Sequence, residues 1–233
     1  MRILDLGCGT GAASESFLRA ISEVERAGLS GACVDPDPAM LEIARSKLSA
    51  FPGVALEFVP GSAERIPRDD ASSDVVLVGS AFHWFQTTRA VEEITRVSAP
   101  GARALLFEYQ FPKAIDRPEL NEWIRREFNE NWRAPNQVPR GSLKEISRPW
   151  RTHPAWRERP APRVEMALPL SGFGFYGHLL SQSRYLHFEA GLSPENRLRY
   201  RENLLRRIMA SYGTDLELRF DFYFQAFELE RRP

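Results

Sequence analysis

The stretch Arg2-Ile3-Leu4-Asp5-Leu6-Gly7-Cys8-Gly9-Thr10-Gly11 decides the fold of this chain. Its apolar residues Ile3, Leu4 and Leu6 predict a short buried strand of a parallel sheet. Three glycines at alternate positions then predict a tight turn, because glycine accepts positive φ angles and has no Cβ to keep a ligand away. A strand, a glycine turn and a helix N-terminus in this order predict a nucleotide-type binding site. In the helix predicted after the turn, one face is apolar and is expected to be buried; its residues are Ala13, Phe17, Ile21 and Val24.

Two classes of cofactor use such a turn. The dinucleotide pattern G-x-G-x-x-G/A is met by Gly7, Gly9 and Ala12. The alternative is an acidic residue before G-x-G-x-G, which is met by Asp5 and the three glycines. This second pattern resembles motif I of the class I S-adenosylmethionine (SAM)-dependent methyltransferases. The resemblance implies that the glycine turn passes under the cofactor. It also implies that Asp5 lies near the methionine amino group, which a carboxylate can hold by a charge-assisted hydrogen bond.

Composition narrows the class of protein. With 233 residues, the chain is long enough for one α/β domain with a sizeable core. The 31 basic and 31 acidic residues balance, so nucleic acid is not an expected partner. We predict no membrane span and no signal peptide, and hence a cytoplasmic monomer or homodimer. Two cysteines supply neither a disulfide framework nor metal-ligand spacing, so no metal is predicted.

An acidic residue ends the second predicted strand, residues 31–35. In dinucleotide-binding and SAM-binding sheets alike, an acid at this position receives the two ribose hydroxyls. Asp37 precedes Pro38 and is the better candidate for capping the next helix. Asp35 is therefore the predicted ribose ligand.

A short polar turn follows the third predicted strand, residues 54–59. By its position, this turn resembles the adenine-contacting segment of the class I methyltransferases. The resemblance implies that the backbone N–H of Ala63 and the side chain of Glu64 contact the adenine edge. The predicted cofactor-binding residues are Asp5, Gly7, Cys8, Gly9, Gly11, Asp35, Pro36, Met40, Ala63, Glu64 and Ser80.

A histidine among aromatic residues follows the fourth predicted strand, residues 74–79. Because ligands bind at the carboxyl ends of strands in open α/β sheets, these residues are site candidates. The phrase at residues 81–85, Ala-Phe-His-Trp-Phe, resembles the type 11 group of class I enzymes, which includes trans-aconitate methyltransferases. His83 is the predicted general base for a hydroxyl acceptor, with a hydrogen-bonded structural histidine as the alternative. The predicted acceptor-binding residues are Phe82, His83, Trp84, Tyr109, Arg184, Tyr185 and His187.

Five strands alternating with helices in the first 110 residues predict a Rossmann-like, doubly wound α/β sheet with helices on both faces. Residues 163–170 are a predicted sixth strand. Alternating apolar residues over 215–229 predict a long final strand. By resemblance to the methyltransferase sheet, this strand is the antiparallel seventh.

The domain prediction is one class I methyltransferase domain over residues 1–233. Its predicted core comprises residues 1–112 and 163–233, with an inserted cap of helix and loop at about 113–162. A glycine-aromatic turn is predicted at residues 172–177. The amphipathic helix predicted over 192–212 includes Leu198 among its inward-facing residues.

These features predict a SAM-dependent methyltransferase (EC 2.1.1.-) whose acceptor is a small molecule, methylated on an oxygen of a carboxylate or a hydroxyl. An NAD(P)-dependent Rossmann oxidoreductase and a non-catalytic SAM-binding protein remain the alternatives.

Members of the resembled family usually carry a helix and some tens of residues before motif I. We therefore expect either a longer protein or a cover for the cofactor supplied by residues 113–187.

Overall fold

Strand β1 (Arg2–Leu6) lies between β2 (Ser30–Asp35) and β4 (Ser73–Gly79) and is parallel to both. Strands β3 (Ala55–Pro60) and β5 (Ser98–Tyr109) extend the sheet on either side, again in parallel. The order β3-β2-β1-β4-β5 changes direction between β1 and β4. Ligands of open α/β sheets bind at such a point, outside the carboxyl ends of the strands. The predicted doubly wound sheet is confirmed.

The long strand β9 (Asp215–Leu229) continues the sheet beside β5 and is its antiparallel member, as predicted. Strand β6 (Lys113–Ala114) pairs with the first half of β9, and β7 (Trp156–Arg159) pairs with its end, both antiparallel. Strand β8 (Arg163–Ser171) also pairs with β9. In the described part of the chain the sheet has nine strands, seven of them on the hydrogen-bonded path β3-β2-β1-β4-β5-β9-β6. The predicted sixth strand, residues 163–170, is β8, which pairs with β9 off this path.

The computed structural model describes residues 1–109, 113–114, 117–132, 143–212 and 215–229. Its helices are α1 (Ala12–Ala20), α2 (Glu23–Arg26), α3 (Pro38–Leu48), α4 (Thr87–Val97), α5 (Pro118–Arg126), α6 (Leu143–Ile146), α7 (Arg148–Arg151), α8 (Gly172–Leu180), α9 (Ser183–Ala190) and α10 (Pro194–Tyr212). Within these residues, no helix has the length and apolar character needed to cross a bilayer. The same residues contain no cluster of three or more His, Cys, Asp or Glu suited to a metal ion.

The chain forms two compact units. The first unit comprises Met1–Glu108, Arg140–Arg163 and Tyr223–Pro233, and the second comprises Tyr109–Pro139 and Val164–Phe222. These boundaries differ from those of the predicted core and cap. Helices α6 and α7 and strand β7, which we assigned to the cap, belong to the first unit, whereas α8, α9 and α10, assigned to the core, belong to the second.

Two tryptophans explain why the segment with α6, α7 and β7 joins the first unit. Trp150 is fully buried and stacks on Phe227, with ring centroids 4.9 Å apart. The indole N–H of Trp156 donates a hydrogen bond of 2.8 Å to the hydroxyl of Thr95 on α4. Burying an aromatic side chain of this size stabilises a fold by several kcal/mol, roughly 3–5 by truncation to alanine. The two indoles thus anchor an otherwise arginine-rich segment.

The buried face of α1 agrees with the predicted one in part, since Phe17 and Ile21 pack against the core. Ser14 and Leu18 are its buried residues, whereas Val24 lies on α2 and is exposed. The reason is polar, because both the backbone N–H and the hydroxyl of Ser14 donate to the carboxylate of Asp5. Those hydrogen bonds turn this side of the helix towards β1.

The second unit has its own apolar core, and two local predictions in it are wrong. Residues 172–177 are helical rather than a turn, because Ser171 caps α8 by accepting from the N–H of Gly174, and Phe175 is buried. Leu198 on α10 is 61% exposed, whereas Ile208 of the same helix is buried. The core residues are Ala114, Leu120, Trp123, Ile124, Trp132, Phe175, Leu179, Tyr185, Leu204 and Ile208.

Candidate functional site

The glycine turn lies at the carboxyl end of β1 and is tied to β2. The backbone N–H groups of Gly7 and Cys8 both donate to the carbonyl of Val34, at 2.8 and 3.1 Å. The φ angles of Gly7, Gly9 and Gly11 are +66°, +52° and +76°, which residues with a Cβ rarely adopt. The predicted tight turn is therefore present where the sheet order changes direction.

The three glycines differ in what surrounds them. A Cβ built on Gly7 would lie 2.6 Å from the Cβ of Ala81, and one built on Gly11 would lie 3.1 Å from the Cβ of Ala44. These two positions exclude side chains because the protein itself is close. A Cβ on Gly9 would meet no atom within 4 Å among the described residues. The space over Gly9 is therefore open to a ligand.

Asp35 connects the turn to the end of β2. One carboxylate oxygen accepts from the N–H of Gly9 at 2.8 Å, and the other accepts from the N–H of Asp37 at 2.9 Å. Asp37 caps α3 through its own carboxylate, which accepts from the N–H of Ala39, as the sequence predicts. A carboxylate offers about four acceptor positions, so the two hydrogen bonds that Asp35 accepts here leave it able to receive hydroxyl groups.

Asp5 lies fully buried beneath the turn. Its Oδ2 accepts from the N–H of Ser14 at 3.0 Å and from the hydroxyl of Ser14 at 2.7 Å. Its Oδ1 has no hydrogen-bond partner in the described part of the chain. Burial is the largest cause that raises the pKa of Asp5 to about 6, and the nearby charge of Asp35 adds to it. Ser14 was not predicted, because a serine inside a helix carries no distinctive pattern.

The neighbouring predicted cofactor residues are placed as follows. Cys8 is buried, and a hydrogen bond with Cys33 together with burial raises the pKa of its thiol, so the thiol stays protonated. Pro36 is exposed after β2, and Met40 is half-buried on α3. Cys8 and Pro36 follow the ends of β1 and β2 along the chain, and Met40 lies in the first turn of α3.

The turn after β3 is held against α4. Ala63 is buried, and the carboxylate of Glu64 accepts from the N–H of Gln86 at 2.8 Å, next to the first residue of α4. The guanidinium of Arg96 donates to the carbonyls of Ile66 and Arg68, at 2.9 and 2.8 Å. Glu64 therefore has a structural partner in addition to its predicted contact with adenine.

Replacing Arg96 by alanine is expected to destabilise the first unit by about 2 kcal/mol, because several charge-assisted hydrogen bonds are lost at a side chain that is one-third exposed. Urea unfolding measures this difference. Arg89→Ala on the exposed face of the same helix is the matched control, and we expect a change below about 0.5 kcal/mol. Equal losses for both variants would contradict the anchoring role of Arg96.

The end of β4 has an unusual backbone. Ser80 has a φ of +51°, which is uncommon for a residue with a Cβ, and its N–H donates to the carbonyl of Phe107 at 2.8 Å. Such conformations cluster at ligand sites, where the surrounding structure holds them. The chain then enters a single 3-10 turn, Phe82–Trp84, which carries the predicted histidine.

His83 pairs with Glu108, a residue that the sequence did not predict as part of the site. The imidazole Nδ1 lies 2.9 Å from Oε1 of Glu108, and the side chains are 6% and 13% exposed. The rings of His83 and Trp84 lie 5.1 Å apart. The signal available in the sequence was position, since Glu108 stands near the end of β5 and β5 neighbours β4.

The aromatic residues beside His83 have different surroundings. Phe82 is buried against Phe85 and Trp150, with ring centroids 5.7 Å apart in each pair. Trp84 is 53% exposed. Tyr109 is the last residue of β5, and its side chain lies outside the described residues.

The remaining predicted acceptor residues belong to α9 of the second unit. Arg184 donates to the carbonyl of Phe128 at 3.0 Å, and its guanidinium lies 4.4 Å from the centre of the Phe128 ring. Tyr185 is fully buried and donates its hydroxyl proton to Glu189 at 2.8 Å; burial and this bond raise the pKa of the phenol. The side chain of His187 lies outside the described residues. Arg184 and Tyr185 thus have packing partners within the second unit.

Residues 4–106 match the family model described as a methyltransferase domain. An uncharacterised methyltransferase of Mycobacterium tuberculosis is 46% identical over 102 residues, which are 44% of this chain and 37% of that protein. The demethylmenaquinone methyltransferase of Deinococcus radiodurans is 35% identical over 112 residues, which are 48% of this chain and 44% of that protein. The matched stretch therefore spans less than half the length of either relative.

Two solved structures share the fold over nearly the whole chain. A putative type II methyltransferase from Anaeromyxobacter dehalogenans superposes with a TM-score of 0.69, covering 99% of this chain and 91% of that one at 21% identity. The YcgJ protein from Bacillus subtilis gives a TM-score of 0.57, covering 100% of this chain and 92% of that one at 21% identity. Identities this low establish the fold alone.

Proposed function

We propose that residues 4–106, which match a methyltransferase domain, form a class I SAM-dependent methyltransferase domain, and that the protein transfers the methyl group of SAM to an oxygen of a small-molecule acceptor. SAM supplies a methyl group on a positively charged sulfonium, which is an excellent leaving group. The task that remains for the protein is to hold the acceptor oxygen in line with that methyl group. Alignment of this kind contributes roughly 7–11 kcal/mol to lowering a barrier.

The observation that carries this proposal is the open space over Gly9 between two carboxylates. Asp35 lies beside Gly9 and is hydrogen-bonded to its N–H, and Asp5 lies beneath the same turn. Burial is the main cause of the raised pKa of Asp5, and the repulsion of an ionised Asp5 by the charge of Asp35 raises it further. A cationic ligand relieves this repulsion, whereas a pyrophosphate increases it. The residues present therefore fit SAM better than a dinucleotide.

The roles we propose within this site follow from the geometry. The two carboxylate oxygens of Asp35 receive the ribose hydroxyls, using the acceptor positions that Gly9 and Asp37 leave open. Asp5 has no exposed surface, so its charge acts on the methionine amino group from beneath the turn and its hydrogen bonds hold α1. The proposed flanking residues at the cofactor are Gly7, Cys8, Gly11, Pro36, Met40, Ala63, Glu64 and Ser80.

On the acceptor side, His83 is the proposed general base and Trp84 the proposed aromatic contact. His83 lies immediately beyond β4, on the carboxyl-end side of the sheet where the glycine turn also lies. Phe82 supports this turn of chain from its buried position. The other predicted acceptor residues, Tyr109, Arg184, Tyr185 and His187, belong to the second unit, and we propose no role for them at this site.

Isothermal calorimetry with SAM, S-adenosylhomocysteine and NAD tests the cofactor, and a methyl-transfer assay across small carboxylic acids and phenols tests the reaction. We expect SAM to bind and NAD not to bind. Binding of NAD alone, with a nicotinamide-dependent oxidation of an alcohol, would replace the proposal by an oxidoreductase. SAM binding without transfer to any acceptor would indicate a binding protein.

Asp35→Ala is expected to weaken SAM binding at least tenfold, because each hydrogen bond to a charged group contributes about 1.5–3 kcal/mol. The calorimetric dissociation constant measures this loss. Asp69→Ala, at an exposed aspartate of the same unit, is the matched control and should bind SAM as the wild type does. An unchanged affinity in Asp35→Ala would remove Asp35 from the ribose site.

A further inference from the structure

His83 and Glu108 form a buried pair, and the contact between them determines which nitrogen of His83 can accept a proton from an acceptor. Both side chains are almost fully buried, and the 2.9 Å contact joins Nδ1 to a carboxylate oxygen. A carboxylate accepts hydrogen bonds, so this contact places the proton of the neutral imidazole on Nδ1 and the lone pair on Nε2. A buried histidine with this tautomer is prepared to accept a proton through Nε2.

We propose that Glu108 is a positioning residue that holds His83 as a general base, and that the acceptor oxygen carries a proton, as in a phenol or an alcohol. This inference rests on the proposed function and narrows its acceptor class. A carboxylate acceptor is already ionised at neutral pH and needs no base, so a buried histidine–carboxylate pair would serve no purpose in its methylation.

The charges at this edge of the sheet support the same choice. Neutral His83 together with the Glu108 carboxylate carries one negative charge, and the carboxylates of Asp5 and Asp35 lie at the carboxyl ends of neighbouring strands. An anionic acceptor beside His83 would meet the like charge of the Glu108 carboxylate. A neutral hydroxyl avoids this repulsion. When it transfers its proton, His83 becomes a cation whose charge is balanced by Glu108.

The proposed step conserves atoms and charge. The acceptor O–H bond breaks, and the proton passes to Nε2 of His83. The electron pair left on the oxygen forms the bond to the methyl carbon, while the carbon–sulfur bond breaks and its pair stays on sulfur, giving S-adenosylhomocysteine. His83 then releases its proton to solvent as the products leave.

Nitrogen NMR of the histidine rings tests the tautomer without any turnover. The chain has four histidines, so the signals missing from His83→Gln identify those of His83. We expect Nδ1 to be protonated in the wild type. In Glu108→Gln the amide can donate to Nδ1, and we expect Nε2-protonated imidazole to increase. Nε2 protonation in the wild-type protein would overturn the proposal.

Kinetics with a panel of phenols, alcohols and benzoic acids test the acceptor class. We expect phenols or alcohols to be methylated, and Glu108→Gln to lower kcat about 100-fold with little change in KM, because general base catalysis acts in the transition state. Glu108→Asp should recover part of this loss, and Glu92→Gln, at an exposed glutamate of α4, should lose nothing. Methylation of carboxylic acids alone, or of no phenol or alcohol, would overturn the proposal.

The calorimetric affinity for SAM separates this inference from the function on which it rests. Glu108→Gln is expected to bind SAM as tightly as the wild type, since Glu108 contacts His83 and not the glycine turn. A wild-type protein that fails to bind SAM would refute the proposed function. A protein that binds SAM but has the other histidine tautomer would refute the role of Glu108 alone.

Discussion

Gly9→Asn is expected to weaken SAM binding by at least about 100-fold while the protein stays folded. A side chain at Gly9 would enter the open space beside the Asp35 carboxylate, where the described residues leave more than 4 Å free around the position of a Cβ. The cofactor that this turn accommodates would then overlap with the new side chain. Since 1.4 kcal/mol corresponds to a factor of ten, a 100-fold loss requires only about 3 kcal/mol of steric conflict.

Asparagine is the informative substitution because it tolerates a positive φ better than other residues with a Cβ. The φ of +52° at Gly9 therefore costs only about 1–2 kcal/mol, and the N–H that donates to Asp35 is kept. Thermal unfolding and SAM calorimetry on the same sample separate a folding defect from a binding defect.

Gly28→Asn provides the matched control for Gly9→Asn. Gly28 also has a positive φ, +78°, and a Cβ there would also meet no described atom within 4 Å, but it lies between α2 and β2, away from the turn. We expect both variants to lose similar stability and only Gly9→Asn to lose SAM. Wild-type affinity in Gly9→Asn would show that the cofactor does not pass over this glycine.

Features with a local cause could be predicted from the sequence. Alternating glycines predict a tight turn because glycine adopts a positive φ without strain, and Asp35 ends its strand because the apolar run stops there. The strand order follows from the connection rules for alternating strands and helices. The sequence alone therefore predicts these parts of the fold.

Features that depend on contacts between distant positions could not be predicted. Glu108 meets His83 across 25 residues, and Ser14 lies under Asp5 because the chain turns back after the glycines. Similarly, the glycines at residues 172–177 favour a turn by propensity, yet the burial of Phe175 on α8 outweighs that preference. In each case tertiary packing decides what local preference leaves open.

Asp5→Asn is expected to gain stability relative to the wild type as the pH rises from 4 to 8, by up to about 3 kcal/mol. Burial raises the pKa of Asp5 from 3.8 to about 6, and each pKa unit corresponds to about 1.4 kcal/mol. The folded protein thus binds this proton more tightly than the unfolded chain, so ionisation destabilises the fold. The penalty is small below pH 4 and grows as the pH rises through 6. Asparagine keeps an oxygen for Ser14 and remains neutral throughout.

Asp74 is a control for Asp5, because ionisation of Asp74 stabilises the fold whereas ionisation of Asp5 destabilises it. Hydrogen bonds from Arg2 lower the pKa of Asp74, so its ionised form stabilises the fold, and this contribution is lost as the pH falls. In urea unfolding at pH 5 and pH 8, Asp5→Asn should gain more stability at the higher pH. Asp74→Asn should lose a similar amount of stability at both, because both pH values lie above the ordinary pKa of an aspartate, 3.8. An Asp5→Asn variant whose stability relative to the wild type does not increase from pH 5 to pH 8 would contradict the burial penalty.

The buried charge of Asp5 weakens the fold, and we infer that it is present because it binds the cofactor. If the charge of Asp5 acts on the methionine amino group, Asp5→Asn should bind SAM at least tenfold more weakly at pH 8, as expected for one charge-assisted interaction of about 1.5–3 kcal/mol. Calorimetry on this variant measures the loss. Undiminished affinity would leave Asp5 only its hydrogen bonds to Ser14. A gain in stability together with a loss of affinity would mean that the charge serves SAM binding at the expense of the fold.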